Sequence, residues 1–314
     1  MRRTIQEVSV KGRLQGFPAY NLGEALIIIK GQFLKIAEIF DECWVPVHTL
    51  PDPTSVLECL QKIDQKPDLF TFAQRVPDSK PRFEFHMELD NMAVIPVSTY
   101  EDWFCKQITR SSQKAIRASA RKGVIVREDS FNEKYIQGIM SIFNESSIRQ
   151  GRKYWHYGKS FDAVEEENGT YRERSSYLGA YCDDKMIGYM KIVWDSRAAY
   201  IMQLVSKMAF LDKRPNNALL SEAIRLCAER GIGYLTYGPY VYGNKGEDSL
   251  TGFKKANGCL RINLPRYYIP LTPKGVLALG LNLHRDPKDL VPRWLRDRLI
   301  SFRNLWYSNP ATSA

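Results

Sequence analysis

Apolar residues recur along this chain in two rhythms, and the rhythm changes from place to place. Residues 25–30 and 68–73 are short runs rich in β-branched or aromatic side chains, and they predict buried strands. Between them Pro53 follows Asp52 as a helix opening, and Val56, Leu57, Leu60 and Ile63 repeat at helical spacing. Pro77, Pro81 and Pro96 punctuate the stretch that follows. Residues 99–122 predict one helix closed by Gly123, and Val124-Ile125-Val126 predicts a short strand. Ser130 with Glu133 reads as a capping box for a helix whose apolar stripe is Phe131, Tyr135, Ile136, Ile139 and Phe143.

The second half is more regular. Residues 177–182 and 186–194 flank a turn at Asp183-Asp184-Lys185, and 198–206 follows a turn at Asp195-Ser196, which predicts a three-stranded antiparallel meander. A helix comes next, with Asn216 or Asn217 as its cap, Ala218, Leu219, Ala223, Ile224 and Cys227 on one face, and Gly231 as its stop. A strand over 233–238, a Gly- and Tyr-rich loop, a helix near 248–256 and a strand near 260–270 complete the unit. The order predicts an α/β fold with a mixed, largely antiparallel sheet and flanking helices. Two neighbouring strands in such an order can splay and open a slot for a ligand.

The 314 residues are 44% hydrophobic and 25% charged, which excludes a disordered chain, a fibre and a small disulfide-stapled domain. No run reaches 18 uninterrupted apolar residues, so no spanning helix is expected. Met1-Arg2-Arg3 is not followed by an apolar signal core, which sets the expectation of a cytoplasmic protein. The six cysteines are scattered without a Cys-x-x-Cys pair, so reduced, mostly buried thiols are expected. None of the four histidines has His-x-x-x-His spacing, and no metal is expected.

A formal net charge of +10 predicts attraction to polyanions. Lys106, Arg110, Lys114, Arg117 and Arg121 fall along one face of the helix expected over 99–122, where like charges repel. Either a polyanion lies along that face or acidic partners elsewhere in the fold offset the repulsion. Near the C-terminus Val291, Trp294, Leu295, Leu299, Phe302 and Trp306 recur at helical spacing with Arg293, Arg296, Arg298 and Arg303 between them. This basic amphipathic stretch, about 285–307, either packs back on the domain or lies on an acidic membrane surface, peripheral at the inner face.

Residues about 100–270 resemble the GNAT superfamily of acyltransferases, and within it the Fem-type (FemABX) aminoacyltransferases. Four segments carry the resemblance: the basic helix leading to Lys122-Gly123-Val124; the helix ending in Arg149-Gln150-Gly151-Arg152; the meander followed by Asn217-Ala218-Leu219-Leu220 and a helix ending at Gly231; and Leu250-x-x-Phe253-Lys254-x-x-Asn257-Gly258. The resemblance implies a GNAT/Fem-like domain over 98–275, a degenerate GNAT-like lobe over 1–97 and the basic tail over 276–314. It also implies transfer of an acyl group from acyl-CoA or aminoacyl-tRNA to an amine acceptor, a small molecule or one resembling a peptidoglycan precursor. The sequence departs from the pattern twice. Leu211-Asp212-Lys213-Arg214-Pro215-Asn216-Asn217 has no glycine where acyl-CoA enzymes cradle a pyrophosphate, and Asn257 replaces the usual aromatic.

By the same resemblance Lys254 would stabilise developing negative charge or place the donor's phosphates, with Phe253 beside it, and Tyr242, with Tyr237 and Tyr240, lies where the leaving-group acid stands. Lys213, Arg214, Asn216 and Asn217 would meet the donor's phosphates. The residues themselves offer Arg149, Arg152 and Tyr157 for binding, in a polar-aromatic cluster with His156 as a general base. Glu145 is an alternative base, and Gln203 on the third meander strand is a further binding residue. A second class of function stands beside transfer: a non-catalytic GNAT-like module holding RNA or acidic lipid on its basic helix.

Overall fold

The computed structural model describes residues 3–10, 13–149, 151–242 and 248–285. The C-terminal amphipathic stretch, with Gln150 and Gly243, lies outside the described residues. The described residues divide into two compact units, those up to 91 with 263–285 and those from 92 to 262. Residues 263–275, read from the sequence as part of the second domain, therefore return to the first unit.

In the first unit β1 (Arg3–Val10), β2 (Arg13–Leu22), β3 (Ala25–Lys30) and β4 (Ile36–Ile39) form an antiparallel meander. The first two strands have no long apolar run because much of their surface is open, so the backbone ladder defines them. Helix α1 (Pro53–Gln61) starts on Asp52, whose carboxylate accepts the Thr54 N–H at 2.9 Å. It leads to β5 (Leu69–Ala73), which pairs parallel with β4. The chain then enters β6 (His86–Pro96), whose residues from Met92 onward belong to the second unit.

The second unit begins with one turn, α2 (Tyr100–Asp102), that widens into a π-helical turn over Trp103–Gln107. At Ile108 the backbone becomes extended, and the Thr109 hydroxyl caps a new helix, α3 (Arg110–Arg121). The single helix expected over 99–122 is thus two. Lys106 leaves the common face and pairs with Asp102 at 2.7 Å, while Arg110, Lys114, Arg117 and Arg121 remain exposed along α3. Strand β7 (Ile125–Asp129) leads to α4 (Glu133–Phe143), capped by Asn132, which accepts the Tyr135 N–H at 3.0 Å, rather than by Ser130. Two short strands, β8 (Ile148–Arg149) and β9 (Arg152–Lys153), pair antiparallel before α5 (Phe161–Asn168).

The meander is as expected: β10 (Ser175–Cys182), β11 (Lys185–Trp194) and β12 (Ala198–Ser206) pair antiparallel. A 3-10 helix over Met208–Lys213 then turns into α6 (Pro215–Glu229). Its cap position is Arg214, in left-handed conformation at φ 59°, with Pro215 as first helical residue; neither Asn216 nor Asn217 caps it. Strand β13 (Tyr234–Pro239), α7 (Ser249–Ala256), β14 (Leu260–Pro270) and α8 (Pro273–Gly280) follow.

Both units repeat one plan. The strand orders are β1-β2-β3-β4-β5-β14 in the first and β7-β10-β11-β12-β13-β6 in the second. Each is an antiparallel meander, a helical crossover to one parallel strand, and an antiparallel strand beyond it. In the second unit both sheet faces are covered. Leu178, Ala180, Met190 and Ile192 meet α6, while Tyr177, Tyr181 and Tyr189 pack with α4 and Val164 of α5. Alternate residues of one strand therefore enter different cores.

Replacing the observed cap, Asn132→Ala, is expected to lower stability by about 1 kcal/mol in denaturant melts, while Ser130→Ala stays within about 0.5 kcal/mol. Equal losses would assign the cap wrongly.

Candidate functional site

Strand β13 pairs with β12 over three residues only, Tyr234–Thr236 against Ala198–Tyr200. β12 runs on to Ser206 and β13 to Pro239 without pairing to each other, and Met202 stands as an extra residue where β12 slips its register against β11. The two strands part in the way the order of elements predicted, and the two lips of the parting carry different chemistry.

On the β13 lip Gly238 takes φ 57°, and a Cβ there would come within 2.9 Å of the Tyr242 hydroxyl, so glycine is required. Pro239 has no N–H to give a ladder, and its carbonyl accepts the Lys254 ammonium at 2.5 Å. Lys254 has no exposed surface. Its Nζ lies 4.8 Å from the centroid of the Tyr237 ring and 4.7 Å from that of Tyr242. Burial pulls its pKa down to about 8, against the weaker pull of Cys259 and Asp248 toward the charged form. The tyrosines move the other way: burial first, and neighbouring charge second, raise both hydroxyls above their usual range, so each is a proton donor at neutral pH. Tyr242 is 41% exposed. Lys254, Tyr237 and Tyr242 are thus brought together. Tyr240 and Phe253 pack at the rim of the adjoining core, and the Tyr240 carbonyl accepts the Thr251 hydroxyl at 3.4 Å.

Helix α7, which carries Lys254, is held by Asn257. Its Oδ1 accepts Asn217 Nδ2 at 3.1 Å, its Nδ2 donates to the Phe253 carbonyl at 2.8 Å, and its carbonyl accepts Trp103 Nε1 at 3.1 Å. Asn257 therefore meets the first turn of α6, next to the glycine-less segment. Asn217 is spent on this bond rather than turned to a donor. Asn216 Oδ1 is buried without a partner, Arg214 is exposed, and Lys213 is half-buried. Lys122 holds the same segment from outside, donating to the Asp212 carbonyl at 2.9 Å and pairing with its carboxylate at 3.1 Å.

The β12 lip is built by residues the sequence read as binding groups. Arg149 donates to the carbonyls of Ser206 at 3.1 Å and Ile142 at 3.0 Å, pairs with Glu145, and lies over the Tyr154 ring. Glu145 accepts the N–H groups of Met208 at 2.6 Å and Ala209 at 2.8 Å, so it caps the 3-10 helix rather than standing free as a base. His156 is buried, stacked 4.2 Å from Phe143 and tilted against Trp155 at 3.6 Å. Burial, helped by Lys159 and Arg149, lowers its pKa to about 3. The imidazole expected as a general base is held here inside an aromatic cluster. Arg152 is half-buried on β9 and Tyr157 is half-exposed.

Sequence reading passed over Lys191. It has no exposed surface on β11, opposite Gln203, and its Nζ donates to the Thr170 carbonyl at 2.5 Å and hydroxyl at 2.8 Å. A lysine inside the apolar run Met186–Trp194 was the available signal.

Lys254 leaves a signature in stability. The folded state releases its proton near pH 8 and the unfolded state near 10.4, so between these values the unfolded state binds more protons and stability rises with pH. The wild type minus Lys254→Met difference in unfolding free energy is expected to climb by up to about 1.4 kcal/mol per pH unit there. A flat difference would remove the assignment of a desolvated amine.

No family model and no curated protein sequence matches this chain. Among solved structures it is similar to FemX, at 10% identity and TM-score 0.55 over 84% of this chain and 88% of that one. It is similar to the C-terminal domain (DUF2156) of a lysylphosphatidylglycerol synthetase from Agrobacterium fabrum, at 13% identity and TM-score 0.54 over 82% and 84%. It is likewise similar to L-PGS from Bacillus licheniformis, at 14% identity and TM-score 0.51 over 81% and 84%. The chain has the GNAT-like, Fem-type fold.

Proposed function

We propose that this chain is a Fem-type transferase that moves an aminoacyl group from tRNA to a primary amine, in cell-envelope or glycan biosynthesis. The observation that carries the reading is Lys254, buried beneath Tyr237 and Tyr242 at one lip of the parted strands. The acceptor nitrogen attacks the ester carbonyl, the C–N bond forms, and the C–O bond to the ribose breaks. Tyr242, protonated and reaching solvent, gives its proton to the leaving oxygen, and the amine's proton passes to water. Lys254 acts as a positioning residue: it holds the Pro239 carbonyl and the two rings and sets a positive charge behind the oxyanion.

Two features favour tRNA over acyl-CoA as donor. The segment where a pyrophosphate would be cradled is a 3-10 helix with Arg214 in the strained left-handed turn and Asn217 bound to Asn257. By contrast, Arg110, Lys114 and Arg121 are exposed on α3, and Arg117 is exposed beside the Phe104 ring. The similar synthetases, named for an aminoacylated lipid, favour an envelope setting and a peripheral position at an acidic membrane surface. No helix among the described residues is long and apolar enough to cross a membrane.

Calorimetric titration with charged tRNA, coenzyme A and acetyl-CoA separates the donors. Saturable tRNA binding that weakens steeply with salt, and that Arg110→Ala/Arg117→Ala reduces, is the expected result. Micromolar binding of coenzyme A would overturn the tRNA assignment. In transfer assays Tyr242→Phe is expected to cost at least about 100-fold in rate. Binding of tRNA without turnover under any acceptor would favour the non-catalytic module instead.

A further inference from the structure

Three side chains in the first unit, away from the slot, converge without serving its chemistry. His86 and Glu88 are two residues apart on β6 and so point to the same side of the strand. His284 comes from the chain just beyond α8, 196 residues after Glu88. The His284 Nε2 lies 2.8 Å from Glu88 Oε1, and the His86 Nε2 lies 3.9 Å from the same oxygen. One ligand-capable atom from each of the three falls within 4.8 Å of the other two.

The geometry points to a binding site for one transition-metal dication of the zinc class, held by His86, Glu88 and His284. In a tetrahedral zinc site with bonds of about 2.0–2.1 Å, neighbouring ligand atoms stand about 3.3 Å apart. Two observed separations bracket that value, and all three atoms lie within 4.8 Å of one another. Two imidazoles and one carboxylate form a borderline donor set that favours zinc-like ions over calcium or magnesium, which prefer oxygen. His284 is fully enclosed, with its ring 4.6 Å from that of Tyr268, and its Nδ1 has no hydrogen-bond partner. Glu88 is therefore the polar group its imidazole engages. His86 is 46% exposed and leaves an entry path with a fourth position for water.

Arg285 opposes the ion. Its Nε and Nη2 lie 3.0 and 2.9 Å from Glu88 Oε1, so the cation shares a carboxylate with a guanidinium. The expected affinity is micromolar for this reason. The role that fits is a staple. The first unit is assembled from two chain segments separated by the whole of residues 92–262, and an ion bound to both segments restrains the far one. The inference is independent of the transfer chemistry.

Untagged full-length chain, stripped with chelator and titrated calorimetrically with zinc chloride, is expected to bind one ion with micromolar affinity, and to give no heat with magnesium chloride. His86→Ala is expected to weaken binding at least about tenfold. Because His86 is half-exposed, that variant's melting curve without metal is expected to match the wild type. Arg285→Ala is expected to tighten binding, which a plain ion-pair network would not predict. Cobalt(II) is expected to give a visible spectrum without thiolate charge-transfer bands. Failure of the stripped protein to take up zinc, undiminished uptake by His86→Ala, or a thiolate signature from the cysteines would each overturn the site.

Discussion

The second unit is organised by a pair of strands that stop pairing. After Tyr200 and Thr236 the parallel ladder between β12 and β13 ends, and each strand's inner backbone edge must be satisfied some other way. Beyond that point β12 keeps its ladder to β11, and the carbonyl of its last residue, Ser206, is taken by Arg149. β13 gives up a donor by ending in proline and passes its final carbonyl to Lys254. A side chain on each lip takes the last carbonyl of its strand. A long basic side chain at each strand end is therefore as much a structural requirement as a chemical opportunity.

That requirement explains why Lys254 is buried. A desolvated ammonium is unfavourable unless its surroundings repay part of the lost hydration, and here one carbonyl and two aromatic faces do so. The arrangement keeps a proton-labile cation close to an exposed phenol. Asn257 then fixes the height of α7 by joining it to Trp103 and to Asn217 at the start of α6. An aromatic in its place could fill space but could not bond Asn217. The two places where the sequence departs from the motifs it resembles are thus joined by one hydrogen bond.

The first unit solves its own polar problem with interior charges. Arg266 pairs with Asp90 at 2.6 Å and with Glu42 at 3.3 Å, and Asp68 accepts from the Lys35 N–H and the Thr272 hydroxyl, each at 2.9 Å. Gln74 accepts the Tyr267 hydroxyl at 2.6 Å. Arg266, Tyr267 and Thr272 all come from the returning segment, so the closure of this unit is written in polar pairs far apart in sequence. Aromatic stacking of Tyr267 on Phe72, with ring centroids 5.0 Å apart, supplies the apolar share.

The meander, α1, α6, α7 and β14 were legible in the sequence because apolar periodicity and turn residues act over a few positions. The adjacent residues Asp183 and Asp184, for example, take the left-handed conformations that a tight hairpin turn needs. Lys254, Tyr237 and Tyr242 were singled out through a resemblance, and the structure places the three side by side. The break at Ile108 was missed, although Thr109, whose hydroxyl caps α3, was an available local signal that the charged stripe obscured. The burial of His156 was not legible, because it depends on Phe143 arriving from another element. Local pattern in the chain was enough to mark most strands and helices of the second unit and the places where cationic side chains gather. Only the tertiary structure decided which of those cations are structural, because desolvation and a partner's distance are set by packing between segments remote in the chain.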